Sequence, residues 1–132
     1  MGCRNHFKRD SRFTVKSPTQ FKKVFIHRDY VDMRKAINGL SQIVESAQMG
    51  SLMEPHLFVF SGKTRSVIKI LYFDRSGFCL WQKRLEQDKF PWPKKSLDVV
   101  VTITPEQLSW LLDGYDIFKV KPFAELNYER VS

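Results

Sequence analysis

The sequence is poor in the residue types that metal and nucleophilic sites require. It has two cysteines, Cys3 and Cys79, and three histidines, His6, His27 and His56. Cys3 and His6 stand three apart, but no second pair follows and Cys79 has no partner at ligand spacing, so no metal is expected. So little cysteine fits a reducing cytoplasm, with Cys79 serving as a small buried apolar residue. No apolar run approaches the length of a membrane span, and the basic N-terminus lacks the apolar stretch of a secretory signal. The carboxylates do not gather into an acid–base or two-metal constellation. Asp29 and Asp32 are close in sequence, Asp74 sits in a turn, and Asp113 and Asp116 lie near a helix end. No serine or cysteine occupies a nucleophile elbow. Gly62-Lys63-Thr64 has the ending of a phosphate loop, but Leu57 stands where that motif needs glycine, and a strand follows instead of a helix. A hairpin turn is the expected role. The chain is therefore read as a non-enzyme without cofactor.

What the sequence has in quantity is positive charge and aromatic side chains. Its 132 residues include eleven Phe and three Trp, with 42% apolar residues. That suffices for one compact core. The net charge of +8 is unevenly placed: residues 1–23 sum to +6, residues 24–60 to −1, residues 61–95 to +6 and residues 96–132 to −3. Clustered positive charge favours polyanions, because each phosphate contact releases condensed counterions.

Residues 1–20 mix Lys and Arg with Ser, Thr, Asn and Pro18, without an apolar period, and read as a basic N-terminal extension. A single domain over 21–121 and a tail over 122–132 complete the expected organisation. Val24-Phe25-Ile26 is a short β-prone run. Asp32 then reads as a helix N-cap, followed by Met33, Ala36, Ile37, Leu40, Ile43, Val44 and Ala47 at helical spacing, about four turns. Strands are expected at Leu57–Phe60, Val67–Phe73 and Phe78–Leu85, joined by the turns Ser61–Arg65 and Asp74–Gly77. On the second of these strands both faces are largely apolar, which places it centrally in a sheet covered on both sides. Phe90-Pro91-Trp92-Pro93 reads as a stiff aromatic loop. A further strand is expected at Val99–Ile103. Thr104-Pro105-Glu106-Gln107 then opens a helix with a capping box and Pro at its first position, and Gly114 closes it. The fold class is α+β: an antiparallel β-meander sheet of about five strands with two main helices packed on it.

The middle basic block supplies the candidate DNA-binding residues: Lys63, Arg65, Lys69, Arg75, Lys83, Arg84 and Lys89. They are interleaved with Tyr72, Trp81 and Trp92, whose rings fit the core better than a stacking platform for bases. Replacing Lys83 and Arg84 with alanine is expected to weaken DNA binding without unfolding the chain.

Several segments, taken in order, carry a family resemblance. Asp32-Met33-Arg34-Lys35 followed by Gly39-Leu40 resembles a D-M-R-K…D-G-L segment. Ile68 to Asp74 resembles an I-K-I-L-x-x-D strand. Gly77-Phe78-Cys79-Leu80 with Lys83-Arg84-Leu85-Glu86 resembles G-x-C-L…K-R-L-E, while Phe90, Trp92 and Pro93 match F-x-W-P and Leu108 to Gly114 matches L-x-x-L-L-x-G. The series, over residues 24–118, resembles the TnpB (second open reading frame) accessory proteins of insertion sequences of the IS-sixty-six type. The chain departs from their pattern where Asn38 replaces Asp and where Thr64, Ser66 and Val67 interrupt the basic run of the first turn. The resemblance implies a role in transposition beside a separate DDE-type transposase, with DNA and that transposase as partners.

Overall fold

A computed structural model describes Phe21 and residues 23–119. The N-terminal extension and the C-terminal tail named above lie outside the described residues. The elements run β1 (Lys23–His27), α1 (Ile37–Ser46), β2 (His56–Ser61), β3 (Val67–Asp74), β4 (Gly77–Arg84), β5 (Val100–Ile103) and α2 (Pro105–Leu112).

The five strands form one sheet in the order β4-β3-β2-β1-β5. The α+β class holds, and β2, β3 and β4 form the expected antiparallel meander. The meander stops there, however. β1 joins β2 in parallel, with Val24 opposite Leu57 and Ile26 opposite Val59, and the chain between them crosses over through α1. β5 does not continue beside β4; it pairs antiparallel with β1 at the other edge, Val24 opposite Ile103 and His27 opposite Val100. A parallel pair needs a crossover connection of a dozen or more residues, and the helix between β1 and β2 supplies it.

Both faces of the sheet are covered. On one, Val24, Ile26, Leu57, Val59, Ile68, Ile70 and Tyr72 pack with Leu108, Leu111 and Leu112 of α2. On the other, Phe58, Phe60 and Leu71 pack with Leu40 and Val44 of α1 and with Met49. β2 is buried at every position because it is central and sandwiched. Each fully buried Phe, Leu or Ile there stabilises the fold by about 1.5–3 kcal/mol.

α2 begins as the sequence predicts. Thr104 caps it, its Oγ1 accepting from the Gln107 N–H at 3.1 Å while Gln107 Oε1 accepts from the Thr104 N–H at 2.9 Å. Gly114, at φ +99°, closes it. α1 differs. It is ten residues long and its N-cap is Ala36, which offers no side-chain bond. Asp32 does not cap it, because its carboxylate is captured two residues on: it accepts the Arg34 N–H at 2.9 Å and is gripped by the Arg34 guanidinium at 2.7 Å. With the Lys35 N–H donating to Asp32 O at 3.0 Å, residues 32–35 form a turn where the periodicity suggested the first helical turn.

The Arg34 hydrogen bonds hold the Asp32 carboxyl at about 2, below its ordinary 3.8. A lowered folded-state value means that the pair stabilises the turn above the ordinary carboxylate range, and that this contribution is lost as pH falls from 3.8 towards 2. Carboxyl NMR titration should therefore place Asp32 at about 2 in the native protein and return it towards 3.8 in Arg34→Ala. An unchanged value in the variant would show that the Arg34 guanidinium does not set the Asp32 carboxyl.

Candidate nucleic-acid interface

The topology collects charged residues at one end of the sheet. Because β1 and β2 run parallel and their neighbours run opposite, the exits of β1, β2 and β4 and the entries of β3 and β5 all lie there. This rim holds Arg28, Lys63, Arg65, Arg84, Lys89, Lys94 and Lys95, together with Asp29, Glu86, Asp88 and Asp98. Seven bases against four acids leave it positive.

Two of the bases are structural. Arg28 donates from Nη1 to Leu97 O at 2.6 Å and to Lys95 O at 3.0 Å, and pairs with Asp29 at 3.0 Å. Its own carbonyl accepts from Trp92 Nε1 at 2.8 Å and from Arg65 Nη2 at 3.2 Å. The Arg65 guanidinium lies over the Trp92 ring, 5.1 Å from its centre, a favourable cation–π geometry. The Phe90 N–H donates to Arg65 O at 2.7 Å, and the Phe90 ring is buried. Burial pushes the Arg65 guanidinium pKa down, and the nearby Asp29 charge opposes this. Arg65 itself adopts a positive φ of 61° at the end of the β2–β3 turn. This knot of Arg28, Arg65 and Trp92 fixes the 90–97 loop against the β2–β3 turn.

Gly62 in that turn is required by close approach. A Cβ there would stand 2.6 Å from Met33 Cγ, so the turn and the 32–35 segment could not pack as they do. Lys69 locks the same segment from below. Its side chain is buried, and Nζ donates to Met33 O at 2.7 Å and to Lys35 O at 2.9 Å. Desolvation lowers the Lys69 pKa from its ordinary value, with the Asp32 charge acting the other way.

The seven candidate residues therefore separate into three groups. Lys63, Arg84 and Lys89 are exposed on the rim, joined there by Lys94 and Lys95, and none of the five forms an ion pair among the described residues. Arg65, Lys69 and Lys83 are engaged internally. Arg75 is exposed in the β3–β4 turn, 3.7 Å from Asp74, at the far end of the hairpin. Eight residues of β3 separate that turn from the rim, roughly 23 Å at the rise of a strand. The basic block is thus divided in space.

Among the family-motif residues, Asp32, Met33, Arg34 and Lys35 form the turn above Lys69. Gly39 and Leu40 lie on α1, Gly77 starts β4, and Trp92 and Pro93 lie in the rim loop. Arg28 escapes sequence reasoning because it stands in a nearly neutral stretch; only the parallel placement of β1 beside β2 brings it to the rim.

Lys83 also has a partner within the fold. Its Nζ donates at 3.0 Å to Leu112 O at the end of α2, where orphan carbonyls and the helix dipole favour a cation. Lys83→Ala should therefore cost about 1–2 kcal/mol and lower the melting temperature by roughly 5–10 °C. Arg84→Ala, on an exposed residue, should leave melting unchanged. Equal melting of the two variants would contradict the assigned difference.

The fold and this rim define a small α+β protein with one mixed sheet and a cationic sheet end. Among the described residues, no group of three or more His, Cys, Asp or Glu could hold a metal ion, and no helix is long and apolar enough to cross a membrane. A family model described as IS66 Orf2 like protein matches residues 22–122, and the chain belongs to that family, the accessory proteins of IS66-type insertion sequences. Two relatives come from Sinorhizobium fredii (strain NBRC 101917 / NGR234). The chain is 35% identical over 94 residues to uncharacterized protein y4hO, covering 71% of this chain and 81% of that one. It is 33% identical over 104 residues to uncharacterized protein y4jC, covering 79% and 88%. No solved structure matches the chain.

Proposed function

We propose that the protein binds DNA without cutting it, through the rim at the end of its sheet, and so assists a separate DDE-type transposase of the same element. The observation that supports this reading is the set Lys63, Arg84, Lys89, Lys94 and Lys95. Lys63 comes from the β2–β3 connection, Arg84 from the end of β4, and Lys89, Lys94 and Lys95 from the β4–β5 connection; all are exposed, and the Arg28–Arg65–Trp92 knot ties the two connections to each other. Preorganised cations contact a phosphate backbone without first being ordered, which favours affinity. Such contacts position a protein on DNA and do not by themselves select a sequence.

A second reading is a protein–protein adaptor that docks on the transposase through Phe90 to Pro93. The structure turns that loop inward: Phe90 and Pro93 are buried and the Trp92 indole nitrogen is bonded to Arg28 O. What remains apolar and exposed nearby is Leu97 and Val99.

Fluorescence anisotropy with labelled duplex DNA at low salt should show a complex that dissociates steeply as salt is raised, and magnesium or manganese should produce no nicking of plasmid DNA. Absence of any complex, together with nuclease-resistant co-purification with the transposase, would replace DNA binding by the adaptor reading.

A further inference from the structure

The rim carries one exposed aromatic ring beside a formed cleft. Tyr30 is 54% exposed, and with Val31, Met33, Lys63, Thr64 and Val67 it lines a cleft of about 390 Å³. Three kinds of side chain line it: the phenol of Tyr30, the apolar Val31, Met33 and Val67, and the basic Lys63. Asp32 also borders the cleft, but both its oxygens accept from Arg34, so its charge is met locally.

The walls are fixed by hydrogen bonds within the fold. The Val31 N–H donates to Ser61 O at 2.9 Å, the Arg65 N–H donates to Gly62 O at 3.1 Å, and Lys69 holds Met33 O. The backbone around this open groove is therefore held in place before any ligand arrives. A base pair stacked inside a duplex cannot reach such a cleft. An unpaired nucleotide can, presenting a base to the Tyr30 ring and a phosphate to Lys63, the combination by which single strands are held.

We infer that this cleft accepts one unpaired nucleotide of a DNA strand, so that the protein prefers DNA with a single-stranded end over blunt duplex. The inference rests on the DNA-binding reading above and deepens it by naming the form of DNA bound.

The test is anisotropy with the full chain and three ligands: a blunt duplex, the same duplex with a short single-stranded overhang, and free deoxynucleoside monophosphates as competitors. The overhang should bind about tenfold more tightly than the blunt duplex, the scale of one base stacked on an aromatic ring. Tyr30→Ala should abolish that preference while leaving blunt-duplex affinity and melting temperature unchanged, and Tyr30→Phe should keep it. Equal binding of the two duplexes, or a preference that survives Tyr30→Ala, overturns the inference and leaves the DNA-binding reading standing. Competition by free monophosphates at the concentration effective for the overhang would show a site for a loose nucleotide and also overturn it. Failure of every DNA to bind removes both this inference and the reading beneath it.

Discussion

Trp92→Ala is expected to destabilise the protein by about 2–4 kcal/mol, towards the lower end for loss of a large aromatic because the ring is only partly buried. The substitution removes three things together: packing against the α2-side core, the Nε1 donation to Arg28 O, and the surface under the Arg65 guanidinium. Its effect should extend beyond stability. Lys89, Lys94 and Lys95 flank the loop that Trp92 pins, so freeing the loop adds an ordering cost to every phosphate contact they make. DNA affinity should fall in this variant even at temperatures where it remains folded, although Trp92 carries no charge. Trp92→Phe keeps the ring but not the donor and should cost about 1 kcal/mol, the scale of one hydrogen bond. Denaturant unfolding paired with anisotropy on the folded variants separates the two effects. A Trp92→Ala protein with native stability would show that the knot does not hold the loop.

Lys69→Ala should have an effect of similar size. The side chain is 8% exposed and both its bonds go to the backbone of the 32–35 segment. Removing it leaves Met33 O and Lys35 O without their donor and opens space beneath the turn, together worth about 2–4 kcal/mol or roughly 10–20 °C in melting temperature. Lys69→Met retains the stem but not the donor and should recover part of the loss. If the methionine variant were as stable as the native protein, the role of Lys69 would be packing alone. Neither variant should act on DNA affinity by removing a phosphate partner, since the Lys69 ammonium faces carbonyls and not solvent.

Lys69 and Lys63 together show what a sequence of this kind conceals. Both are lysines of the same basic block, six residues apart, and both have the chemistry to hold a phosphate. Lys69 lies on an apolar strand, where Ile68 and Ile70 are buried on one face and Leu71 is buried on the face that Lys69 shares, and apolar residues on both faces do say that the strand is covered on both sides. They do not say that a carbonyl pair stands opposite the ammonium. That depends on Asp32, which has the right chemistry for a helix cap but is captured by Arg34 two positions later. With the turn closed by that pair, the Met33 and Lys35 carbonyls meet Lys69.

Local signals are legible where the deciding interactions are local. The capping box of Thr104 and Gln107, the Asp74–Gly77 turn and the alternation along β3 all act within a few residues. The parallel pairing of β1 with β2 is not legible, because nothing in Val24-Phe25-Ile26 specifies its partner. The same pairing brings Arg28 to the rim and sends β5 to the opposite edge from β4. Arg75 and Arg84, nine residues apart, are likewise separated by the full length of a hairpin that sequence distance does not reveal. Two of the family motifs, read as separate strings, prove to meet others: the Asp32–Lys35 turn through Lys69 and the end of α2 through Lys83, while Trp92 meets Arg28 and Arg65 from outside the motifs.

The central claim, that one end of the sheet grips the DNA backbone, is tested most directly by the salt dependence of duplex binding. It should be measured for the native protein, for a Lys63→Ala, Arg84→Ala, Lys89→Ala triple variant, and for Arg75→Ala. The slope of log affinity against log salt falls by about 0.9 for each phosphate that is no longer neutralised. The triple variant should therefore have a slope shallower by roughly 2–3, while Arg75→Ala, at the far end of the hairpin, should match the native protein. Native slope and affinity in the triple variant, or a weakening confined to Arg75→Ala, would contradict the assignment of the rim.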